Sequence, residues 1–166
     1  MKSLITYFSH TGENYMENGI EDIKVGNTEK LAKMLSTLIP SDLFKVEPVD
    51  SYPYSYEECC DVAKKELNED YRPKLKNYLE DIKAYDTIYI MGPVWWGHYP
   101  MAMFSMLENL DFTGKKVRFI TTHEGSGLGS VLEDIKKLCD GADAKGMAVR
   151  GCKVDTALEN LKEFIK

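Results

Sequence analysis

Three short runs, Leu4-Ile5-Thr6-Tyr7-Phe8, Thr87-Ile88-Tyr89-Ile90-Met91 and Val117-Arg118-Phe119-Ile120-Thr121-Thr122, are apolar along most of their length. A strand with one face in water alternates apolar and polar side chains, whereas a run that barely alternates must be covered on both faces. Segments with helical spacing lie between the runs. The first starts at about Thr28, carries Leu31, Met34, Leu35, Leu38 and Ile39, and is ended by Pro40. With Leu43–Glu47 as an edge strand and Ala144–Arg150 as a last strand, strands and helices alternate five times. This pattern predicts a single-domain α/β fold over residues 1–166, a doubly wound five-stranded parallel sheet with helices on both faces. In the order 2-1-3-4-5, strands one, three and four are neighbours, and the switch point falls between one and three.

The remaining elements follow from local signals. Ser55-Tyr56-Glu57-Glu58 is a capping box that opens a helix through about Asn68. Tyr71 to Leu79 reads as a connector with a further helical turn or two. Met101–Leu107 reads as a buried helix with Pro100 near its first turn, and Asp111–Lys115 as a loop. Ser130 to Glu133 forms a second capping box, with Leu132, Ile135 and Leu138 as the stripe. Asp155 or Thr156 caps a last helix, with Leu158, Leu161 and Phe164 or Ile165 inward.

The formal net charge of −6 disfavours nucleic acid and acidic membrane surfaces, and suits a cationic partner. Four cysteines, Cys59, Cys60, Cys139 and Cys152, show neither C-x-x-C nor metal spacing, so no metal site is expected. They read as reduced thiols of a cytoplasmic protein. No signal-peptide pattern and no run of membrane-spanning length is present.

Chemistry concentrates in the loops after strands one, three and four. Pro93-Val94-Trp95-Trp96-Gly97 carries both tryptophans of the chain. Two adjacent indoles at a strand's carboxyl end suggest a planar aromatic ligand; otherwise the pair plugs a gap between helices. After strand one come Ser9-His10-Thr11-Gly12 and then, beyond fourteen intervening residues, Asn27-Thr28. Their hydroxyls, together with amides at a helix start, could hold a phosphate without a countercharge; equally, Asn27 or Thr28 could simply cap the helix. The third loop is His123-Glu124-Gly125-Ser126-Gly127-Leu128-Gly129. His123 could contact a ligand or serve structure, and Glu124 is expected to be solvated. The glycines fit neither G-x-G-x-x-G nor a P-loop, and no G-x-S-x-G is present.

With residues 13–26 removed, the first loop reads Ser9-His10-Thr11-Gly12-Asn27-Thr28, which resembles the T/S-x-T-G-N-T phosphate loop of flavodoxins. Together with Pro93–Gly97 and Thr122–Gly129, the chain resembles the small bacterial flavodoxin-like proteins over nearly its whole length. The resemblance implies a flavodoxin-like domain that binds flavin mononucleotide (FMN). Ser9, Thr11, Asn27, Thr28 and nearby amides would hold the phosphate, with His10 and Gly12 in the same loop. The ring would lie between Pro93, Val94, Trp95, Trp96 and Gly97 on one side and His123, Glu124, Gly125, Ser126 and Gly127 on the other. Either Gly12 or Gly26 could be the loop's working glycine. The implied function is an electron-transfer carrier, monomer or homodimer, that docks on redox partner proteins or an NAD(P)H reductase, with no residue assigned a catalytic role. The alternative is an NAD(P)H-dependent quinone or flavin oxidoreductase. The departure from the family is the insertion. Its Asn18-Gly19, between Tyr15-Met16 and Ile20, signals a hairpin. The hairpin reads first as a tolerated surface excursion and second as a flap beside the phosphate or ribityl chain.

Overall fold

The computed structural model describes residues 2–166. In chain order it contains β1 (Ser3–Tyr7), β2 (Gly12–Met16), β3 (Gly19–Ile23), α1 (Asn27–Ser36), β4 (Ser41–Lys45), α2 (Tyr56–Asn68) and β5 (Thr87–Pro93). These are followed by α3 (Met101–Leu107), β6 (Lys116–His123), α4 (Val131–Leu138), β7 (Asp143–Arg150), a 3-10 turn (Gly151–Thr156) and α5 (Leu158–Phe164). The main sheet runs β4-β1-β5-β6-β7 with every pairing parallel. Counted without β2 and β3, this is the 2-1-3-4-5 order. Ile5 stands beside Leu43 on one side and Tyr89 on the other, which fixes the register at the sheet's centre.

The low alternation of the central strands has a direct cause. Successive residues point to opposite faces, and those of the central strands fall into two separate core clusters. Leu4, Ile88, Ile90, Val117 and Phe119 join one core cluster with α3 and with Val131 and Ile135 of α4. Ile5, Tyr7, Tyr89, Met91 and Ile120 join a second with Leu31 and Leu35 of α1 and Leu161 and Phe164 of α5. All seven residues of α3 are buried, which explains why that segment lacks a polar stripe.

The insertion forms the antiparallel hairpin β2–β3. Met16 pairs with Gly19, so Glu17 and Asn18 make the turn, one residue earlier than an Asn-Gly turn. Three local expectations fail. Residues 71–79 form no helix; instead Leu75 bridges Pro48, with Val49 N–H donating to the Lys74 carbonyl at 2.8 Å and Lys76 N–H to that of Glu47 at 2.9 Å. These backbone bonds take the place of those of a short helix, which is marginal by itself. Ser130 stands at the start of α4 but caps nothing with its side chain; its N–H donates to the Gly97 carbonyl. The 3-10 turn absorbs Asp155 and Thr156, so Ala157 precedes α5, and Leu158 points outward while Leu161 and Phe164 are buried. Among the described residues no helix is long and apolar enough to cross a membrane.

Candidate functional site

The loops that follow β1, β5 and β6 meet at the carboxyl ends of three neighbouring strands, around a cavity of about 370 Å³. Its lining includes His10, Asn27 and Thr28, then Pro93, Val94, Trp95 and Trp96, then Thr122, His123, Glu124, Gly125 and Ser126. A cavity of this size suits one small ligand. No lysine or arginine lines it.

The first loop and the start of α1 are locked together. Ser9 Oγ accepts the Glu29 N–H at 3.1 Å, and Lys30 N–H donates to the Gly26 carbonyl at 3.1 Å. The amides of Asn27 and Thr28, at the amino end of α1, have no acceptor among the described residues. Thr28 is buried, and its hydroxyl shares a 2.8 Å hydrogen bond with that of Thr122 on β6. Gly26 holds the N-cap position with no side chain of its own to cap the helix, so that Ser9 serves instead, and it packs directly on Ser9 and His10. The chain therefore leaves at His10 and returns beside it, so the loop is continuous in space across the insertion. Gly12 serves the insertion instead, opening β2 against Tyr54 at a φ of +90°.

In the second loop the tryptophans part company. Trp95 is wedged edge-on among Tyr52, Phe8 and His10, with ring centroids 4.9, 5.2 and 5.7 Å away. Trp95 and His98 exchange backbone hydrogen bonds of 2.7 and 3.0 Å around a two-residue turn. Its central residues, Trp96 and Gly97, have φ of +52° and +85°, as a type I′ turn demands. A bulky residue with positive φ is costly, and two side-chain contacts hold Trp96 there. Its indole N–H donates to the Cys60 carbonyl at 2.9 Å, and the Lys64 ammonium stands 4.9 Å from the ring centroid. Behind the turn, the buried Asp134 accepts His98 Nδ1–H at 2.8 Å and Tyr99 N–H at 3.2 Å.

In the third loop His123 Nδ1 accepts Gly125 N–H at 2.9 Å, which leaves Nε2 as the protonated nitrogen of a neutral ring. Burial holds the pKa of His123 below its ordinary value. Glu124 departs from expectation. Its side chain is 8% exposed, accepting Cys152 N–H at 2.7 Å and facing Arg150 at 3.4 Å. The backbone amide and the guanidinium compensate the carboxylate and account for its burial. Burial also lowers the pKa of His10, whose Nε2–H donates to the Pro53 carbonyl at 3.0 Å.

Several residues singled out by sequence stand off the main cavity. Ser9 and Thr11 face a smaller adjacent one of about 240 Å³, which shares His10 with the first. Gly97 and Gly127 shape backbone instead; the Gly127 carbonyl accepts the Thr121 hydroxyl at 2.8 Å. Conversely, one wall consists of residues to which the sequence assigns no individual site role: Glu13, Asn14 and Tyr15 of the hairpin, whose second reading is a flap, and Tyr56, Cys59, Cys60 and Ala63 of α2. Burial pushes the Cys59 thiol up to about 12 and the Tyr56 hydroxyl to about the same value. The available signals are the Asn18-Gly19 hairpin and the aromatic residues Tyr15 and Tyr56.

No curated protein matches the chain. Among solved structures, a candidate flavoprotein from Bacteroides uniformis ATCC 8492 is 24% identical, with a TM-score of 0.76 and 97% of each chain covered. A flavoprotein in complex with FMN from Lactobacillus acidophilus NCFM is 20% identical, with a TM-score of 0.66, covering 97% of this chain and 98% of that one. Oxidised Flavodoxin 2 from Bacillus cereus is 19% identical, with a TM-score of 0.54, covering 99% and 98%. At these identities the likeness is one of fold. The family model described as Flavodoxin matches residues 20–165, from within β3 to the end of α5, and the chain therefore belongs to the flavodoxin family.

Proposed function

We propose that this protein binds FMN and works as an electron-transfer carrier. The observation that carries the reading is the meeting of three loops, from β1, β5 and β6, around one cavity beside the sheet's switch point. The donor set fits the cofactor. Two unpaired amides at the amino end of a ten-residue helix suit a phosphate through hydrogen bonding and the helix dipole. The two carboxylates of the lining are already engaged: Glu124 as above, and Glu13 by the Tyr56 N–H at 2.9 Å. Glu124 faces the Arg150 guanidinium, and Glu13 is held by the N–H at the start of α2. Pro93–Trp96 and His123–Ser126 would flank the ring, and the neutral His123 offers an N–H donor there. The fold behind this is doubly wound, with the two core clusters supporting helices on both faces.

Bound FMN supplies the redox chemistry, taking up and passing on one or two electrons. The chain's own residues bind it, orient it and present it. The carrier reading, over direct nicotinamide oxidation, is supported by acidic groups on the elements that wall the cavity. Glu17, Glu21 and Asp22 of the hairpin and Glu57, Glu58 and Asp61 of α2 are exposed. Such a surface steers a basic partner. Acid extraction of the purified protein should release FMN, and the apoprotein should rebind it; recovery of the adenine dinucleotide alone, or no flavin binding, refutes the cofactor. Rapid, saturable reduction by NADPH without a reductase would assign the oxidoreductase alternative instead.

A further inference from the structure

We infer that the hairpin insertion is a working part of the ligand site, with Asn14 positioning the polyol chain of the flavin and Tyr15 the ring. This deepens the FMN reading and rests on it.

The hairpin is docked, not draped. Glu13 N–H donates to the Tyr54 carbonyl at 3.0 Å, while the Glu13 carboxylate accepts the amide that opens α2. The Tyr15 ring lies 6.1 Å from that of Tyr56, inclined by 35°. The strands' other face carries Asn14 and Met16, and Met16 Sδ receives the side-chain Nδ2–H of Asn27 at 3.3 Å. The hairpin thus bridges the starts of α2 and α1, the two helices between which the cavity opens. A surface excursion tolerated for its low entropic cost would have no reason to engage both.

Asn14 has a defined polarity. Its Nδ2 group donates to the carbonyls of His10 and Gly12 at 3.1 and 3.2 Å, with His10 Nδ1 at 3.4 Å. Among the described residues nothing donates to its Oδ1. With the nitrogen tied, the amide offers the cavity an acceptor of fixed orientation. The complementary ligand group is a donor; a flavin offers the ribityl hydroxyls and the ring N3–H, and the assignment to the polyol is tested with lumiflavin, which keeps N3–H and lacks the polyol. Tyr15 lines the same cavity and is 52% exposed, a large aromatic with one side on Tyr56 and the rest open. Its complement is a flat aromatic surface.

A ladder of three ligands separates these roles: lumiflavin has the ring alone, riboflavin adds the polyol, and FMN adds the phosphate. Each is titrated into apoprotein and followed by flavin fluorescence, with thermal melts to check folding. Asn14→Ala should weaken riboflavin and FMN by the same factor, about 5-fold for one hydrogen bond, and leave lumiflavin unchanged. Tyr15→Ala should weaken all three alike, by about 5-fold. Glu17→Ala, at the exposed hairpin turn outside the cavity, should change none. Asn14→Ala weakening lumiflavin as much as FMN would mean loop collapse and overturn the polyol contact. A wild type that binds FMN beside indifferent Asn14 and Tyr15 variants sinks this inference alone. A wild type that binds no flavin sinks the cofactor reading, and this one with it.

Discussion

Replacing Gly26 by alanine tests whether the first loop really closes on itself across the insertion. The residue sits at φ −64° and ψ 150°, where any residue is comfortable. Without a steric problem, alanine would stabilise the protein by about 0.4–1 kcal/mol, because it restricts the unfolded chain. The added methyl, however, would overlap Ser9 Oγ and lie 2.8 Å from the His10 carbonyl oxygen and 3.1 Å from its nitrogen. Ser9 can rotate away, but it then abandons the Glu29 amide, a loss of about 1 kcal/mol. The His10 backbone cannot rotate, and displacing packed atoms costs about 1–3 kcal/mol. The clash should win, giving net destabilisation of about 1–3 kcal/mol. Urea unfolding of the apoprotein should show a lower midpoint at unchanged slope, and FMN titration a weaker complex, because the displaced backbone borders the α1 amino end. Gly97→Ala is the contrasting control. Nothing lies within 4 Å of its added methyl, but φ is +85°, so strain alone costs about 1–2 kcal/mol. If Gly26→Ala proves more stable than the wild type, the loop yields freely and the packing argument is wrong.

Asn27→Asp puts a carboxylate at the amino end of α1. At about 4 Å and an effective dielectric near 20, repulsion of roughly 4 kcal/mol should weaken FMN about a thousandfold and spare riboflavin; equal losses for both flavins would move the phosphate elsewhere. FMN should quench tryptophan fluorescence, and Trp95→Phe should cost more stability than Trp96→Phe, since three rings grip Trp95 while Trp96 is 51% exposed; equal melting temperatures would contradict that division. His10 and His123 have pKa values lowered from 6.5, so the unfolded chain takes up protons first as pH drops. Their contribution to stability is complete above pH 6.5 and is lost as pH falls through and below it. Urea midpoints measured against pH should show this slope, and His10→Gln should flatten it. Reduction by a basic reductase should slow as salt rises, because the Debye length shrinks from about 30 Å at 0.01 M to about 3 Å at 1 M; stopped-flow rates indifferent to salt would remove the acidic surface from partner docking.

The sheet, its strand order and the three loops at its carboxyl edge were legible in the sequence because each is encoded locally. An apolar run without alternation says that both faces are covered, and glycine, proline and hydroxyl residues mark where backbone must turn. Those signals located His10, Asn27, Thr28, Pro93–Trp96 and His123–Ser126, which the fold brings to one cavity. The same local reasoning erred where a distant partner decided the outcome. Residues 71–79 follow Pro48 and its neighbours instead of their own spacing. Glu124 is buried because Cys152 N–H and Arg150 come to it from the end of β7 and beyond. The two tryptophans, equivalent in sequence, differ because one turns toward Phe8 and Tyr52 while the other reaches the Cys60 carbonyl on α2. The hairpin is the largest case. Asn18-Gly19 announces a turn, but nothing within residues 13–26 says what the strands rest on. That was decided by Glu13 and Tyr15 meeting Tyr56, some forty positions away. A backbone turn is specified by the few residues that form it, whereas a docked surface depends on which remote groups can neutralise its charges and cover its rings.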